Sequence, residues 1–294
     1  MDATLSPQQV ADDLPVDTLI ELSNALPPCN ARGHAISGFA YPPEQPVIFI
    51  KFGGNLERGT DAEARTQIWA YETLQRLSPS DRQGIKIPKV YRTVDLVTWT
   101  FILMEYVPGK PFQDFMDENS EAFNATEDRY LGMIECALKL FLSFPVPQDA
   151  SPGPYGGGLI RHPLFKGFKS TIEYQTVDLL EKHMNKLATW FSKNAPTLSF
   201  ERELRFVFSD LYGGNFLFTE EGDLYVIDFE QANFLPLSFM TYAMIQRHYL
   251  CSLKDRLDLP EENLEVMRTV CTLLVMAVPK IGLPIDAPNP RKNR

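Results

Sequence analysis

The residues best suited to chemistry lie in two neighbouring segments, FSDLYGGNFLF and YVIDFE. Asp210 lies five residues before Asn215, which lies thirteen residues before Asp228. In kinases this order belongs to an aspartate that orients a hydroxyl proton, an asparagine that binds a metal ion and an aspartate that links Mg²⁺ to the nucleotide phosphates. Phosphoryl transfer requires hard oxygen ligands close to the base, because it depends mainly on positioning and charge neutralisation. The spacing therefore predicts Asp210 as a catalytic residue and Asn215 and Asp228 as metal ligands.

A single lysine, Lys51, lies within the otherwise apolar segment VIFIKF. A charge on such a strand is costly unless an anion compensates it. This position favours an anion-binding role, and the nucleotide phosphates are the candidate anion. The alternative is a lysine whose head group extends from an edge strand into solvent.

These residues need a scaffold, which the hydrophobic pattern predicts. The β-rich first part has its predicted helices and strands at 17–26, 34–41, 47–52, 60–77, 90–93 and 99–105. The helical second part has its predicted helices and apolar segments at 126–143, 170–194, 206–208, 224–227, about 236–252 and 260–278. Capping-box spacing is found at three predicted helix starts, in the pairs Thr18/Glu21, Thr60/Glu63 and Ser170/Glu173. The pattern predicts an α+β protein with a cleft between two lobes, which is a preferred place for a cofactor site.

Composition and charge exclude several classes of protein. The chain has 294 residues, of which 44% are hydrophobic, and a net charge of −10. Its one basic tract is Arg291 to Arg294, so a nucleic-acid-binding surface is not expected. The first 20 residues lack the apolar core of a signal peptide, and the apolar stretch 270–278 is too short to cross a membrane. We expect a cytoplasmic protein without a membrane partner and with free thiols.

The segment from Phe206 to Phe229 resembles the aminoglycoside phosphotransferase and choline kinase-like family, and most closely its fungal members. The resemblance extends over about residues 48–243. It implies a bilobal protein-kinase-like fold, ATP and Mg²⁺ as cofactors, and phosphorylation of a small-molecule alcohol. The domains would be a nucleotide-binding lobe at 1–104, a hinge at 105–109 and a helical lobe at 110–294.

The resemblance also assigns roles around the nucleotide. Lys51 matches the strand lysine that holds the α- and β-phosphates. Its carboxylate partner on the next helix would be Glu63, with Glu72 as a rival. The segment FILMEYVPG resembles the hinge, with Met104 as the gatekeeper. The residues that would contact the adenine are Glu105 and Val107 through their backbones, and Leu217 and Ile227 through their side chains.

The sequence departs from the family at two places. Phe208 replaces the usual histidine two residues before the catalytic aspartate, and no complete G-x-G-x-x-G precedes Lys51. These departures keep open the alternative of a pseudokinase, a nucleotide-binding or scaffold protein that transfers nothing. A protein kinase is disfavoured because Asp228-Phe229-Glu230 replaces D-F-G and no A-P-E segment follows.

Two further segments bear on the acceptor. The acidic residues of 114–128, together with the net charge, favour a cationic or neutral acceptor, and the alternative is a solvated acidic loop. The insertion with Pro152 to Gly158 and Arg161-His162-Pro163 resembles the region that shapes the acceptor pocket, and the alternative is a flexible loop. The acceptor's identity and the oligomeric state stay open.

Overall fold

The structure of the chain is a computed structural model that describes residues 5–29, 35–118, 121–124, 126–191, 193 and 195–276. Its first part consists of α1 (Pro7–Asp13), α2 (Val16–Asn24), β1 (Gly38–Tyr41), β2 (Ile48–Gly54), α3 (Thr60–Gln75), α4 (Pro79–Arg82), β3 (Ile85–Lys86), β4 (Val90–Asp95) and β5 (Trp99–Glu105). His34, where the first strand was predicted to begin, lies outside the described residues.

The second part contains more helix. Its elements are β6 (Lys110–Pro111), α5 (Phe112–Glu118), α6 (Glu121–Asn124), α7 (Glu127–Leu142), α8 (Val177–Phe191), β7 (Arg205–Phe208), β8 (Phe216–Phe218), β9 (Leu224–Val226), β10 (Ala232–Leu235), α9 (Leu237–Met244), α10 (Leu253–Arg256) and α11 (Leu264–Met276). The predicted α+β fold, with a β-rich N-terminal lobe and a larger, mainly helical C-terminal lobe, is confirmed.

The N-terminal sheet is antiparallel, with strand order β1-β2-β5-β4. Alternate residues of β2 point to opposite faces, as the pleat requires. Ile48, Ile50 and Phe52 form one core with residues of α1 and α2. Lys51 points to the other face, where Ile102 and Met104 of β5 pack on Ala64 of α3. The pleat of one short strand therefore puts the lysine opposite helix α3.

A second sheet connects the two parts of the chain. It has the order β3-β9-β8-β6, so β3 from the first part pairs with the hairpin β8-β9 of the second. The residues of the candidate site follow strand ends: Asp210 comes after β7, Asn215 comes just before β8, and Asp228 comes after β9. Each of the three polar residues therefore lies next to the end of a paired strand, which fixes the position of its backbone.

The three predicted capping boxes are wrong. Helix α2 begins after Pro15 without a side-chain cap, and the N-cap of α3 is Gly59. Helix α8 begins at Val177, and the hydroxyl of Ser170 donates to the Ile172 carbonyl in the loop before it. Of these side chains, the Glu63 carboxylate binds Lys51 of β2 and the Ser170 hydroxyl donates within its own loop.

Two helices of the C-terminal lobe also differ from their predicted limits. The helix predicted to end near residue 252 ends at Met244 and is followed by a 3₁₀ turn at His248–Leu250. The final helix begins at Leu264, after the loop that contains Pro260. Within the described residues, no helix is both long and apolar enough to cross a membrane.

Candidate active site

Three charged side chains from distant parts of the sequence meet between the lobes. The Lys51 ammonium donates to Glu63 Oε1 at 2.6 Å and to Asp228 Oδ1 at 2.9 Å. Lys51 comes from β2, Glu63 from the buried face of α3, and Asp228 from the turn after β9. Glu72, the rival partner, lies on the exposed face of α3. The structure therefore pairs Lys51 with Glu63.

Burial and mutual charge shift the ionisation of this trio. Burial raises the pKa of Glu63 to about 7, although the Lys51 charge opposes this and Asp228 adds to it. Burial would also raise the pKa of Asp228, but the Lys51 ammonium outweighs it, and the pKa of Asp228 is lowered. The two carboxylates in turn raise the pKa of Lys51 against the opposing effect of its burial. Lys51 and Asp228 are therefore both charged at neutral pH.

Asp228 has an unusual backbone conformation, with φ 65° and ψ 74°. Such a left-handed conformation costs a non-glycine residue of the order of 1 kcal/mol and is concentrated at functional sites. The following 3₁₀ turn, Phe229–Gln231, brings Glu230 back to the same place. One carboxylate oxygen each of Glu63, Asp228 and Glu230 lie within 4.8 Å of one another, a spacing that suits a metal ion.

Asp210 and Asn215 are held by the loop between β7 and β8. The Asn215 side-chain amide donates to the Asp210 carbonyl at 3.0 Å, which leaves its Oδ1 available to a cation. The Ile227 amide donates to the Asn215 carbonyl at 3.0 Å, which keeps Asn215 beside the segment that contains Asp228. Burial raises the pKa of Asp210 to about 6, and the Asp228 charge adds to this effect, whereas Asn215 and Arg247 oppose it.

Arg247 follows α9 and lies on the other side of Asp210. Its Nη2 is 3.6 Å from Asp210 Oδ1, and its guanidinium carbon lies 5.7 Å from the centre of the Tyr212 ring. The distance to Asp210 is that of a loose ion pair rather than a hydrogen bond. Neither Arg247 nor Glu230 was among the site residues predicted from the sequence. The position of Glu230, two residues after Asp228, could have indicated it from the sequence, whereas Arg247 lies outside any motif.

Phe208, at the position where a histidine was expected, is fully buried. Its ring packs on those of Phe141, Phe216 and Phe229. The neighbouring Ser209 donates through its hydroxyl to the Gln231 carbonyl at 2.6 Å. The catalytic loop is therefore supported by an aromatic cluster and by a bond to the turn after Asp228, without an imidazole.

A cavity of about 310 Å³ opens beside the trio, and we call it the interlobe cavity. Its lining residues are Ser37, Phe49, Lys51, Glu63, Pro88, Met104, Glu105, Tyr106, Val107, Leu217, Ile227 and Asp228. All six residues predicted to bind the cofactor are among them. This volume lies at the lower end of the range of small-molecule sites.

The hinge offers a free backbone donor beside the interlobe cavity. The Glu105 amide already donates to the Lys89 carbonyl at 2.8 Å. Its carboxylate accepts a hydrogen bond from the Tyr225 hydroxyl at 2.9 Å. Within the described part of the chain, the Val107 amide donates to no protein group. Val107 is therefore the hinge residue best placed to donate to a ligand, as adenine recognition would require.

The acidic residues expected to attract a cation do not line the interlobe cavity, although α5, which contains some of them, packs on the turn Gly213–Asn215 of the catalytic loop. Asp114 and Glu118 are on α5, and Lys110 pairs with Glu118 at 2.5 Å. Asp114 lines a separate cavity of about 720 Å³, which is also lined by Pro108 and Gly109 of the hinge. Of the described residues that line the interlobe cavity, none belongs to the acidic run.

We compared the sequence and the structure of this chain with those of known proteins. The sequence profile of the phosphotransferase enzyme family matches residues 57–239. A search of curated protein sequences found no match.

Among solved structures, the chain is similar to a thermostable mutant of aminoglycoside phosphotransferase APH(4)-Ia in a ternary complex with ADP and hygromycin B. The identity is 12% and the TM-score 0.41, over 78% of this chain and 76% of that one. A putative fructosamine-3-kinase from Haemophilus somnus has 10% identity and a TM-score of 0.43, over 76% and 73% of the two chains.

Proposed function

Because the chain belongs to the phosphotransferase enzyme family, we propose that it is an ATP- and Mg²⁺-dependent kinase that phosphorylates a hydroxyl group of a small molecule. The expected bilobal α+β fold of the protein-kinase type agrees with this membership. The observation that carries the proposal is the trio of Lys51, Glu63 and Asp228 at the edge of the interlobe cavity. In kinases both this ion pair and this aspartate must be in place for transfer.

The residues present suit a nucleotide with a metal ion. Lys51 would bind the α- and β-phosphates, and the Val107 amide would donate to the adenine. Leu217 and Ile227 line the cavity and would contact the purine. Asn215 Oδ1 and the Asp228 carboxylate would hold Mg²⁺, which supplies neutralisation of the phosphate charge. Carboxylate and amide oxygens are the ligands that Mg²⁺ prefers.

Asp210 would orient the acceptor hydroxyl and accept its proton. With a pKa of about 6, its carboxylate is mostly ionised at neutral pH and still close enough to that pH to exchange a proton readily. The lowered pKa of Asp228 suits the different role of a permanent anion that binds a cation. The two aspartates thus differ in ionisation as their proposed roles require.

A cationic or neutral alcohol is the narrower proposal for the acceptor. The net charge of −10 supports it through long-range attraction. Arg247, 3.6 Å from Asp210, adds a local restriction because it puts a positive charge at the point of transfer. A cationic group of the acceptor should therefore lie away from the hydroxyl that receives the phosphate. The enzyme would act in the cytoplasm, as the sequence predicts, with no nucleic acid or membrane as partner.

The first test is whether the purified protein binds and consumes ATP. Calorimetry with Mg·ATP should show binding by wild type and weak or no binding by Lys51→Met. A screen of alcohols, amino alcohols and aminoglycosides should then reveal an acceptor that raises ATP consumption above slow hydrolysis. Binding without consumption for every acceptor and for water would support the pseudokinase alternative. Absence of Mg·ATP binding would overturn the kinase and the nucleotide-binding form of that alternative, and would leave only a scaffold protein.

A further inference from the structure

The insertion of the C-terminal lobe, residues 153–161, packs on helix α3. The Tyr155 ring stacks on the Trp69 indole, with a centroid distance of 5.6 Å and an interplanar angle of 19°. The Tyr155 amide donates to the Thr66 hydroxyl oxygen at 3.1 Å. Trp69 and Thr66 lie on the helix that contains Glu63. The insertion therefore contacts the element that sets the position of the Lys51–Glu63 ion pair.

Arg161 ends this insertion and connects the two lobes. Its Nη1 donates to Glu230 Oε1 at 2.6 Å, and its Nη2 donates to the Glu57 carbonyl. Glu57 lies in the loop that leads into α3, whereas Glu230 lies two residues after Asp228. The backbone of Arg161 is fixed by the buried Asn233, whose side-chain amide donates to the Arg161 carbonyl at 2.8 Å. One buried guanidinium thus joins the start of α3 to the turn that contains Asp228.

The start of α3 is shaped around this arginine. Gly59, the N-cap of the helix, has φ 66°, which only glycine adopts at little cost. A Cβ atom on residue 59 would lie 2.8 Å from Nε of Arg161. The close approach of backbone and guanidinium therefore depends on glycine.

The charges near Glu230 show what Arg161 does electrostatically. The carboxylates of Glu63, Asp228 and Glu230 approach to within 4.8 Å of one another. Lys51 binds two of them, and Arg161 binds the third. Without the guanidinium, the negative charge of Glu230 would repel those of Glu63 and Asp228, and this repulsion is only weakly screened because the site is partly buried. Movement of α3 away from the cleft would relieve this repulsion, and it would separate Glu63 from Lys51.

We propose that residues 153–161 form a brace that holds helix α3 where Glu63 pairs with Lys51, and that Arg161 is its positioning residue. The value of this pair to catalysis rests on the proposed function. In protein kinases, phosphorylation of the activation loop controls the same helix and the same metal-binding aspartate. This chain has no A-P-E segment, and the brace takes the place of that control. The site is assembled without a modification.

Hydrogen–deuterium exchange of the nucleotide-free full chain tests the brace directly. In Arg161→Gln, the amides of α3 should exchange about tenfold faster than in wild type, the factor expected from losing roughly one hydrogen bond between charged groups. The amides of β7 should be unchanged. Arg161→Lys keeps the charge, but one ammonium cannot replace both donors, so its effect should be intermediate.

Lys169→Gln is the matched control. Lys169 lines the same cavity of about 400 Å³ as Arg161, and its side chain donates to the Leu56 carbonyl, in the loop that leads into α3, at 2.9 Å but makes no bond to Glu230 within the described residues. Its removal should leave exchange in α3 unchanged. The brace is overturned if α3 in Arg161→Gln exchanges as in wild type, or if β7 accelerates to the same extent. Tyr155→Leu, which loses the contact with Trp69 and keeps Arg161, should accelerate α3 in the same selective way and serves as the test if Arg161→Gln does not fold.

Nucleotide affinity separates this inference from the proposed function. The affinity of Arg161→Gln for Mg·ATP should fall in proportion to the lost competent population, by about tenfold if α3 is displaced in nine molecules of ten. Unchanged affinity in a variant whose α3 amides exchange as fast as unprotected amides would overturn the role of Arg161 in positioning the ion pair. If wild type itself bound no Mg·ATP, the proposed function would fail, while the exchange result would still decide whether the brace holds α3.

Discussion

The two ends of the candidate site differ in how tightly their charges are paired. At the nucleotide end, Lys51 lies 2.6 Å from Glu63 and 2.9 Å from Asp228, and the side chains of Lys51 and Glu63 are 10% and 2% exposed. At the acceptor end, Arg247 lies 3.6 Å from Asp210, and their side chains are 39% and 20% exposed. The first arrangement is fixed before any ligand arrives, whereas the second leaves donors and space for one.

The difference corresponds to what each end would recognise. A nucleotide phosphate chain always has the same shape and charge, so a rigid and preorganised site stabilises it at the lowest cost. An acceptor hydroxyl is a small target within a variable molecule, and a looser pair adapts to it. Changes at the nucleotide end should therefore affect binding of Mg·ATP, and changes at the acceptor end should affect transfer.

The largest expected effect is that of Asp210→Asn. The substitution keeps the size and polarity of the side chain but removes the charge that would accept the proton, so kcat should fall by about 10²–10⁴-fold. Affinity for Mg·ATP should stay close to that of wild type, as measured by calorimetry. Rapid transfer by this variant would show that another residue positions the hydroxyl and would remove the distinction between the two ends.

Asp228→Asn should have the next largest effect, and on binding. Truncating one partner of a buried charge pair costs about 2–5 kcal/mol, and because the Asp228 side chain is 34% exposed we expect the lower end of this range. The gain in ATP affinity on adding Mg²⁺ should therefore fall by about 30-fold. Lys51 keeps Glu63 as a partner, so the variant should fold, as checked by thermal unfolding. Affinity for ATP in the presence of a chelator is the control and should change little. Unaltered binding of Mg·ATP would contradict the metal assignment.

A paired comparison on α3 tests the partner of Lys51. Glu63→Gln removes a buried carboxylate oxygen that accepts a hydrogen bond from Lys51, which should weaken Mg·ATP binding by about tenfold. Glu72→Gln changes an exposed carboxylate of the same helix and should have no measurable effect. Titration of both variants under one set of conditions gives the difference. A larger loss for Glu72→Gln would refute the pairing seen in the structure.

The smallest effect is expected from Arg247→Gln, in the pH profile. The arginine lowers the pKa of Asp210, so its removal should raise that pKa above about 6. Asp210 would act as a carboxylate, so activity is lost as pH falls through its pKa, and the acid limb of kcat/KM should move to higher pH. The pair is partly exposed, so the loss at pH 6.5 should be at most about fivefold and should vanish near pH 8.5. An acid limb at the wild-type position would mean that Asp210 does not control it.

The parts of the molecule that sequence could predict are those that depend on near neighbours. The almost wholly apolar segment VIFIKF predicted a strand that contains Lys51, and β2 is this strand. The apolar segments before Asp210 and Asp228 predicted strands that end at these residues, as β7 and β9 do. The six proposed cofactor-binding residues were selected through the resemblance to a family rather than through spacing, and all six line one cavity.

The parts that sequence could not predict depend on contacts between distant residues. The spacing of Glu63 indicated a cap for Thr60, whereas the resemblance to a family gave Glu63 as the partner of Lys51 with Glu72 as a rival. The folded chain shows that the Glu63 carboxylate is bound to Lys51. Helix α1 was not predicted, because its seven residues contain only two that are apolar, Val10 and Ala11. The contact of Arg161 with Glu230 joins residues 69 positions apart, and no local pattern marks it.

The close fit between Gly59 and Arg161 has a consequence for the evolution of this protein. A side chain at position 59 would collide with the guanidinium, and a shorter residue at 161 would remove this steric reason for glycine and leave only the positive φ of residue 59. The two positions therefore constrain each other across the interface between the lobes. In an alignment of homologues we expect them to change together, so that this glycine and this arginine form a paired signature of the relatives that share the brace.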